Sequence, residues 1–214
     1  MIYVQNTFQL AASFTIGSYL LPGEPIENLS QSVDRKIKVN INSCHNIIDG
    51  IKNGSYDLGL IENPIFDKEL SYHEWIENEL VFCSKTPLPE LIHEEDLKNY
   101  QLICREESSA TRLLIGNFFK EFGINHDSFK SLIQINNPTA SIQGVKWSKV
   151  SQNNPTLTVI SKLAIEDEVE RKELFVSRFE KHLMQHKYYI VHSTDKISEP
   201  IINILIAQLK RQIS

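Results

Sequence analysis

The residues best placed to do chemistry are hydroxyls at the ends of apolar strands. Ser13 and Thr15 flank Phe14 in the stretch Leu10–Pro22, LAASFTIGSYLLP, which carries no charge where an apolar strand gives way to a helix. Ser108, Ser109 and Thr111 recur at the same point of a second stretch, LICREESSATRLLIGNFF. A helix N-terminus leaves several N–H groups without intrahelical partners and carries about half a positive charge. Two uses suit hydroxyls there. One is N-capping, for which Ser and Thr are preferred residues, worth ~1 kcal/mol each. The other is an anion site, in which N–H and hydroxyl groups wrap a carboxylate or oxyanion without a fixed counter-charge. Both uses share one geometry, so a single turn does not separate them; recurrence in two halves favours a site.

These turns are positioned by alternating elements. Strands are expected at Phe8–Ala12, at Lys36–Ile41 (KIKVNI, with Ile37, Val39 and Ile41 on one face), at Leu58–Ile61 and at Glu79–Ser84. Helices are expected from Ile16 to Leu21, where Pro22, Gly23 and Pro25 interrupt, and at Ile47–Lys52. After the proline-bearing link Lys85–Pro89 the pattern restarts. Strands Gln101–Cys104, Leu132–Ile135, Thr156–Ile160 and Tyr188–Val191 alternate with helices Ala110–Phe122, Val145–Val150, Lys162–Arg171 and Ile201–Leu209. Alternating β and α elements predict an α/β fold with mainly parallel strands. The shared plan of strand, hydroxyl-rich turn and helix predicts two lobes, each placing its turns at the carboxyl ends of its strands, where ligands of open α/β sheets lie.

Other candidates are weaker. His182 and His186 stand at i, i+4, as metal ligands on a helix do, yet the HExxH glutamate and a third ligand are missing; a surface helix with two imidazoles is preferred. Cys83, in LVFC, and Cys104 read as small core residues. Asp49, Asp57 and the glutamates of ENPIF and EDEVE have no acid–base partner at a suitable spacing. Arg112 reads as a partner for Glu106 or Glu107, and Trp75 and Trp147 as packing residues. GxSxG, P-loop and GxGxxG patterns do not occur, which removes support for hydrolase and nucleotide readings.

Composition sets the frame. The 214 residues suffice for one large domain or two small ones, and 41% hydrophobic with 23% charged residues is ordinary for a globular protein. A net charge of −5 lacks the basic footprint of a nucleic-acid-binding surface. Three cysteines (Cys44, Cys83, Cys104) without a CxxC pair fit a reducing compartment, and the N-terminus has no basic, apolar-cored signal sequence. A cytoplasmic protein is expected, without a membrane span.

Four landmarks, ASFTIGSYLLP, NGSYDLGLIENP, LICREESSATRLLIGNFF and SKLAIEDEVERKELF, together resemble the effector-binding domain of LysR-type transcriptional regulators, in that family's order and close to its spacing. The resemblance spans nearly the whole chain. It implies the type 2 periplasmic-binding-protein fold: two Rossmann-like sub-domains with a central cleft, sub-domain I at 1–83 plus 188–214 and sub-domain II at 84–187. It further implies a non-catalytic sensor of a small anionic effector, with no cofactor and no metal. A homodimer or higher homo-oligomer is expected through apolar positions on a helix and a strand of the first lobe, and DNA contact only through a separate domain. The family's N-terminal winged helix-turn-helix and linker helix do not precede Phe8, and the abrupt start favours a trimmed segment over a free-standing relative.

Carried over by position, Ser13 and Thr15 match hydroxyls that hold an effector's anionic group. Ser43 and Cys44 match an Asn-Ser/Thr pair, with a thiol replacing a hydroxyl. Ser109 and Thr111 match the second lobe's turn, where Ser108 replaces the usual glycine, and Ser141 matches a hydroxyl entering the next helix. QNNPT, Gln152–Thr156, replaces a glycine turn, with Asn153 or Asn154 expected to take the positive φ. Two rivals share the scaffold. A transport-type solute-binding protein needs a secretion signal, and an enzyme needs a polar catalytic residue among positions that are mostly Ser, Thr and Asn.

Overall fold

The computed structural model describes residues 7–151, 153–197 and 199–211. Its strands are β1 (Thr7–Ala12), β2 (Lys36–Ile41), β3 (Leu58–Ile61), β4 (Leu70–Ser84), β5 (Leu91–Ile92), β6 (Gln101–Arg105), β7 (Ser131–Ile135), β8 (Thr156–Ser161), β9 (Phe175–Phe179) and β10 (Met184–Ser193). Its α-helices are α1 (Glu24–Gln31), α2 (Cys44–Lys52), α3 (Ala110–Glu121), α4 (Pro138–Lys146), α5 (Glu166–Glu170) and α6 (Pro200–Arg211). The chain divides into two units. One holds the residues up to Glu77 and those from Lys187 onward, the other Asn78–His186, so the chain changes unit once inside β4 and once inside β10.

In the first unit β1 pairs in parallel with β2 on one side and β3 on the other, and β10 pairs antiparallel with β3. The central strand β3, Leu-Gly-Leu-Ile, is buried at every position, as a strand covered on both faces must be. Edge strand β2 keeps the predicted alternation from Lys36 to Val39 and is only half buried, but Ile41, expected on the face of Ile37 and Val39, is exposed. Helix α2 turns Ile47, Ile48 and Ile51 inward onto β3. Gly59 permits that approach: a Cβ there would lie 2.6 Å from Ile47 Cγ2 and 2.7 Å from Ile51 Cδ1. Helix α6 buries Ile202, Leu205, Ile206 and Leu209, a 3.6-residue stripe, and packs against α1.

In the second unit β6 lies parallel to β7 and β8, β4 runs antiparallel to β8 and β9, and β5 pairs in parallel with β9. The core gathers Phe82, Phe119, Phe129 and Phe179 with Leu97, Leu102, Ile115 and Leu157. Phe119 is fully buried and meets the rings of Phe82, Phe129 and Phe179 at centroid distances of 6.1–6.4 Å.

Several expectations need correction. The helix expected at Val145–Val150 is α4, Pro138–Lys146: Asn137 accepts from Ala140 N at 3.1 Å and Pro138 fills the first turn, so the Asn-Pro start signal outranks the later apolar residues. Ile16–Leu20 is a single π-helical turn. The prolines read there as an interruption mark a start, since Pro25 sits in the first turn of α1 after Gly23 at φ 82°. The helix expected at Lys162–Arg171 splits at buried Ile165 into a 3₁₀ turn, Lys162–Ala164, and α5. Strand β4 begins at Leu70, well before Glu79, and β9 has no counterpart among the expected strands. His182 and His186 share no helix: His182 precedes β10 and His186 lies on it. Trp147 is 78% exposed and packs no core. Among the described residues Lys172 is the non-glycine at positive φ; Asn154 instead donates its N–H to Ser151 Oγ at 3.2 Å, and Gln152 lies outside the described residues.

Candidate functional site

Parallel pairing aligns the carboxyl ends of β1, β2 and β3, with Ala12 opposite both Ile41 and Leu60. The residues that follow these strands therefore converge. Ser13 N donates to Leu60 O at 2.9 Å and Asn42 N to Ala12 O at 3.0 Å, which fixes both turns. Ser13 Oγ accepts from Ile16 N at a long 3.5 Å. Ser43 caps α2, its Oγ accepting from Asn46 N at 3.3 Å, while Asn42 Oδ1 accepts from Ser43 N and from Asn46 Nδ2 at 3.0 and 2.8 Å. The Thr15 side chain forms no cap bond, although the residue is buried.

Glu62, the residue after β3, brings a carboxylate into this group. It is buried, and its Oε1 accepts from Thr15 N at 3.4 Å. Its charge also acts on Cys44. Burial first, and the Glu62 charge second, push the Cys44 thiol up to about 12, so this thiol is a small packing group and no nucleophile. Burial likewise pushes Cys83 up to about 12, with Glu168 adding to the effect.

In the second unit the ends of β6 and β7 are aligned by the pairing of Arg105 with Ile135. Ser109 caps α3, its Oγ accepting from Arg112 N at 3.4 Å. Thr111 is buried in the first turn of the same helix. Ser141 is fully buried and donates its proton to Asn137 O at 3.1 Å, a bond internal to α4. Arg105 is buried and fixed by Glu106, with Nε and Nη2 donating to its two oxygens at 3.0 and 3.1 Å, and Nη2 also donates to Asn136 O at 3.4 Å. Arg112 donates from Nη1 to Arg105 O at 2.9 Å, so the partner expected for Arg112, Glu106, belongs to Arg105.

Ser13, Thr15, Ser43 and Cys44 thus gather at one sheet end of the first unit, and Ser109 and Thr111 at the corresponding end of the second. Ser13, Ser43 and Ser109 share one property. Each oxygen accepts from a backbone N–H, which leaves its own O–H proton to be donated elsewhere. Capping and ligand binding are therefore compatible in one side chain. Asn42 and Arg105 were missed by sequence reasoning, and Glu62, in ENPIF, was weighed there only as an acid–base group. Their signal was a polar or charged residue directly after a strand, as in KVNIN, LGLIE and at the end of QLICR. Elsewhere, His186 Nε2 lies 3.3 Å from Asn78 Nδ2, whose own Oδ1 accepts from Ser161 Oγ at 2.7 Å. Among the described residues no group of three His, Cys, Asp or Glu side chains is arranged to hold a metal ion, and no helix is long and apolar enough to cross a membrane.

Strand ends followed by capping serines thus recur in both units of this α/β chain. Residues 3–214 match the LysR substrate binding domain, and the chain belongs to that family. It is 26% identical over 212 residues to the HTH-type transcriptional regulator CysL of Bacillus subtilis, covering 97% of this chain and 68% of that protein. The regulatory domain of Synechocystis CcmR, solved in complex with 2-PG, superposes with a TM-score of 0.79 at 19% identity, with 97% of each chain covered. The effector-binding domain of QuiR, solved with shikimate, gives 0.75 at 17% identity, with 96% of each covered. The fold is the type 2 periplasmic-binding-protein kind shared by these domains.

Proposed function

We propose that this chain is the sensing part of a LysR-type transcriptional regulator and takes a small anionic metabolite as its effector. The observation that carries the reading is the set of capping serines, Ser13, Ser43 and Ser109, at the carboxyl ends of parallel strands, each with a hydroxyl proton to donate. Thr15 adds a hydroxyl. Its amide is already taken by Glu62, so hydroxyls rather than that N–H hold the anion. Ser141 supports the start of α4 through its bond to Asn137 O. Cys44 is buried beside them as an uncharged packing group. The name of CysL as a transcriptional regulator supports the sensing role, and the 2-PG and shikimate that accompany CcmR and QuiR support a small-molecule effector.

On this reading the domain is a sensor and not an enzyme, working in the cytoplasm. The two sub-domains of the family correspond to the two units, and the effector acts by preferring one conformation of the domain, since a ligand shifts an equilibrium only through differential affinity. In a longer parent chain that preference is passed to a DNA-binding segment. The test is thermal melting of the domain with 2-PG, shikimate, sulfate, phosphate and dicarboxylates. A ligand at a hundredfold its Kd adds roughly 2.7 kcal/mol, on the order of 5–10 °C for a chain of this size. If no anion in such a panel moves the melt by even 1 °C, the anionic-effector reading is wrong.

A homodimer forms part of the proposal. Strand β2 is the outer strand of the first unit's sheet, and the exposed Ile41 on it continues into an apolar groove with Gly17, Leu21, Pro22, Ile26 and Val39. This is the helix-and-strand surface on which a second copy is expected to dock. Ile41→Arg is expected to convert the dimer to monomer in sedimentation velocity without changing the circular dichroism spectrum. A wild-type chain that sediments as a monomer at 100 µM, on the order of the weakest useful self-affinity, contradicts it.

A further inference from the structure

Two histidines outside the ligand-binding strand ends face each other in the first unit. His73 on β4 and His192 on β10 approach with their Nε2 atoms 3.1 Å apart, rings stacked at 17° with centroids 5.3 Å apart. His192 is buried and His73 half-buried. Both stand a few residues from the points where β4 and β10 carry the chain from one unit to the other. The last turn of α6 is tied beside them, since Trp75 Nε1 donates to Leu209 O at 2.9 Å.

Hydrogen-bond logic fixes the tautomers. A carbonyl only accepts, so His192 Nδ1, 2.8 Å from Ser193 O, carries a hydrogen. The neutral ring then has Nε2 as its acceptor, and His73 Nε2 must be the donor to it. One added proton is accommodated on His73 Nδ1, with the Nε2–H···Nε2 bond kept. A second proton puts N–H groups on both facing atoms, and the pair has to part. We propose that His73 and His192 form a proton-sensitive clamp on the two crossover strands, closed with none or one added proton and opened by the second.

The surroundings favour the neutral and singly protonated states. Burial, then the facing His192, then the Lys210 ammonium near the end of α6 hold His73 below its usual value near 6.5. The acids on neighbouring segments of this unit are engaged by lysines: Glu74 with Lys187 at 2.7 Å, Asp57 with Lys196 at 2.5 Å, and Glu69 with Lys52 at 3.7 Å. Arg211 follows Lys210 and adds further positive charge at that helix end. The sign follows. With its folded value below the unfolded one, His73 lets the unfolded chain bind more protons, so stability is full above about pH 7 and is lost as pH falls through 6.5 towards the folded value.

The experiment is imidazole nitrogen NMR on the ¹⁵N-histidine-labelled chain, titrated from pH 7.5 to 5.5, with melting curves of wild type and His73→Gln alongside. The amide introduced by that substitution supplies a donor to His192 and does not titrate. The expected result is His192 in the Nδ1–H form at pH 7.5 and one ring of the pair still neutral at pH 5.5, where an unperturbed imidazole is mostly protonated. Wild type should also lose more melting temperature than His73→Gln over that range, because only wild type carries the lowered imidazole. His93, raised by Glu180, and His126, lowered by burial, titrate alike in both proteins and cancel in the comparison. Two rings titrating independently near 6.5, His192 in the Nε2–H form at pH 7.5, or equal acid losses in the two proteins would each overturn the clamp. Should His73→Gln not fold, the wild-type NMR decides alone.

Discussion

Replacing Phe119 by alanine is expected to destabilise the chain by about 3–5 kcal/mol, the range for removing a buried aromatic from a packed core. The ring is fully buried, and Phe82, Phe129 and Phe179 surround it. Alanine leaves a hole that those rings cannot close without moving β4, β9 and the segment before β7. The consequence reaches the candidate site, because Phe119 is the inner anchor of α3 and Ser109 caps that helix. Urea unfolding should show a large fall in midpoint for Phe119→Ala and a smaller one for Phe119→Leu, which fills most of the volume. A loss below about 1 kcal/mol in the alanine variant would mean that the aromatic cluster is not a packed core.

The second large effect is expected at Arg105. Its side chain is 5% exposed, and Glu106, whose side chain is 23% exposed, holds the guanidinium through two parallel N–H···O bonds. Removing one partner of such a pair leaves the other charge poorly solvated. The full penalty of about 3–5 kcal/mol applies to wholly buried pairs, and the partial exposure of Glu106 lowers it to about 2–3 kcal/mol for Arg105→Met. Lysine should rescue little of this, since an ammonium cannot reproduce the planar two-point bond. Arg105→Met combined with Glu106→Gln should recover most of the loss, because no unpaired charge remains. The readout is a double-mutant cycle in urea. Additive losses, with coupling below about 0.5 kcal/mol, would mean that the two side chains act separately.

Much of the fold was legible because two periodicities survive folding: KIKV, the first part of β2, alternates as an edge strand does, and LGLI is apolar throughout as a central strand is. The capping serines were legible for a similar reason, as hydroxyls at the junction of an apolar run and a helix have few other uses. What escaped notice depends on contacts between distant residues. Nothing near Glu62 in sequence shows that its carboxylate meets Thr15 N, because the neighbour comes from a parallel strand forty-seven positions away. Strand β9, FVSRF, reads as too short and polar on its own; it is a strand because β4 and β5 pair with its two sides. The π-helical turn after Ser13 and the break at Ile165 are likewise set by packing, and local propensity reads them as ordinary helix. Trp147 misled because a large aromatic is usually buried, and this one is not.

The measurement that tests the central proposal most directly is calorimetric titration of the best-stabilising anion into three proteins: wild type, Ser13→Ala/Thr15→Val, and Ser109→Ala. Each hydroxyl that donates to a charged ligand group is expected to contribute about 1.5–3 kcal/mol, so Ser13→Ala/Thr15→Val should bind at least roughly tenfold more weakly than wild type, and Ser109→Ala reports separately on the turn of the second unit. The variants should remain folded, each losing only about 1 kcal/mol of capping energy. Unchanged affinity in both variants, with the same anion still bound, would place the effector elsewhere and leave Ser13, Thr15 and Ser109 as helix caps and packing groups alone.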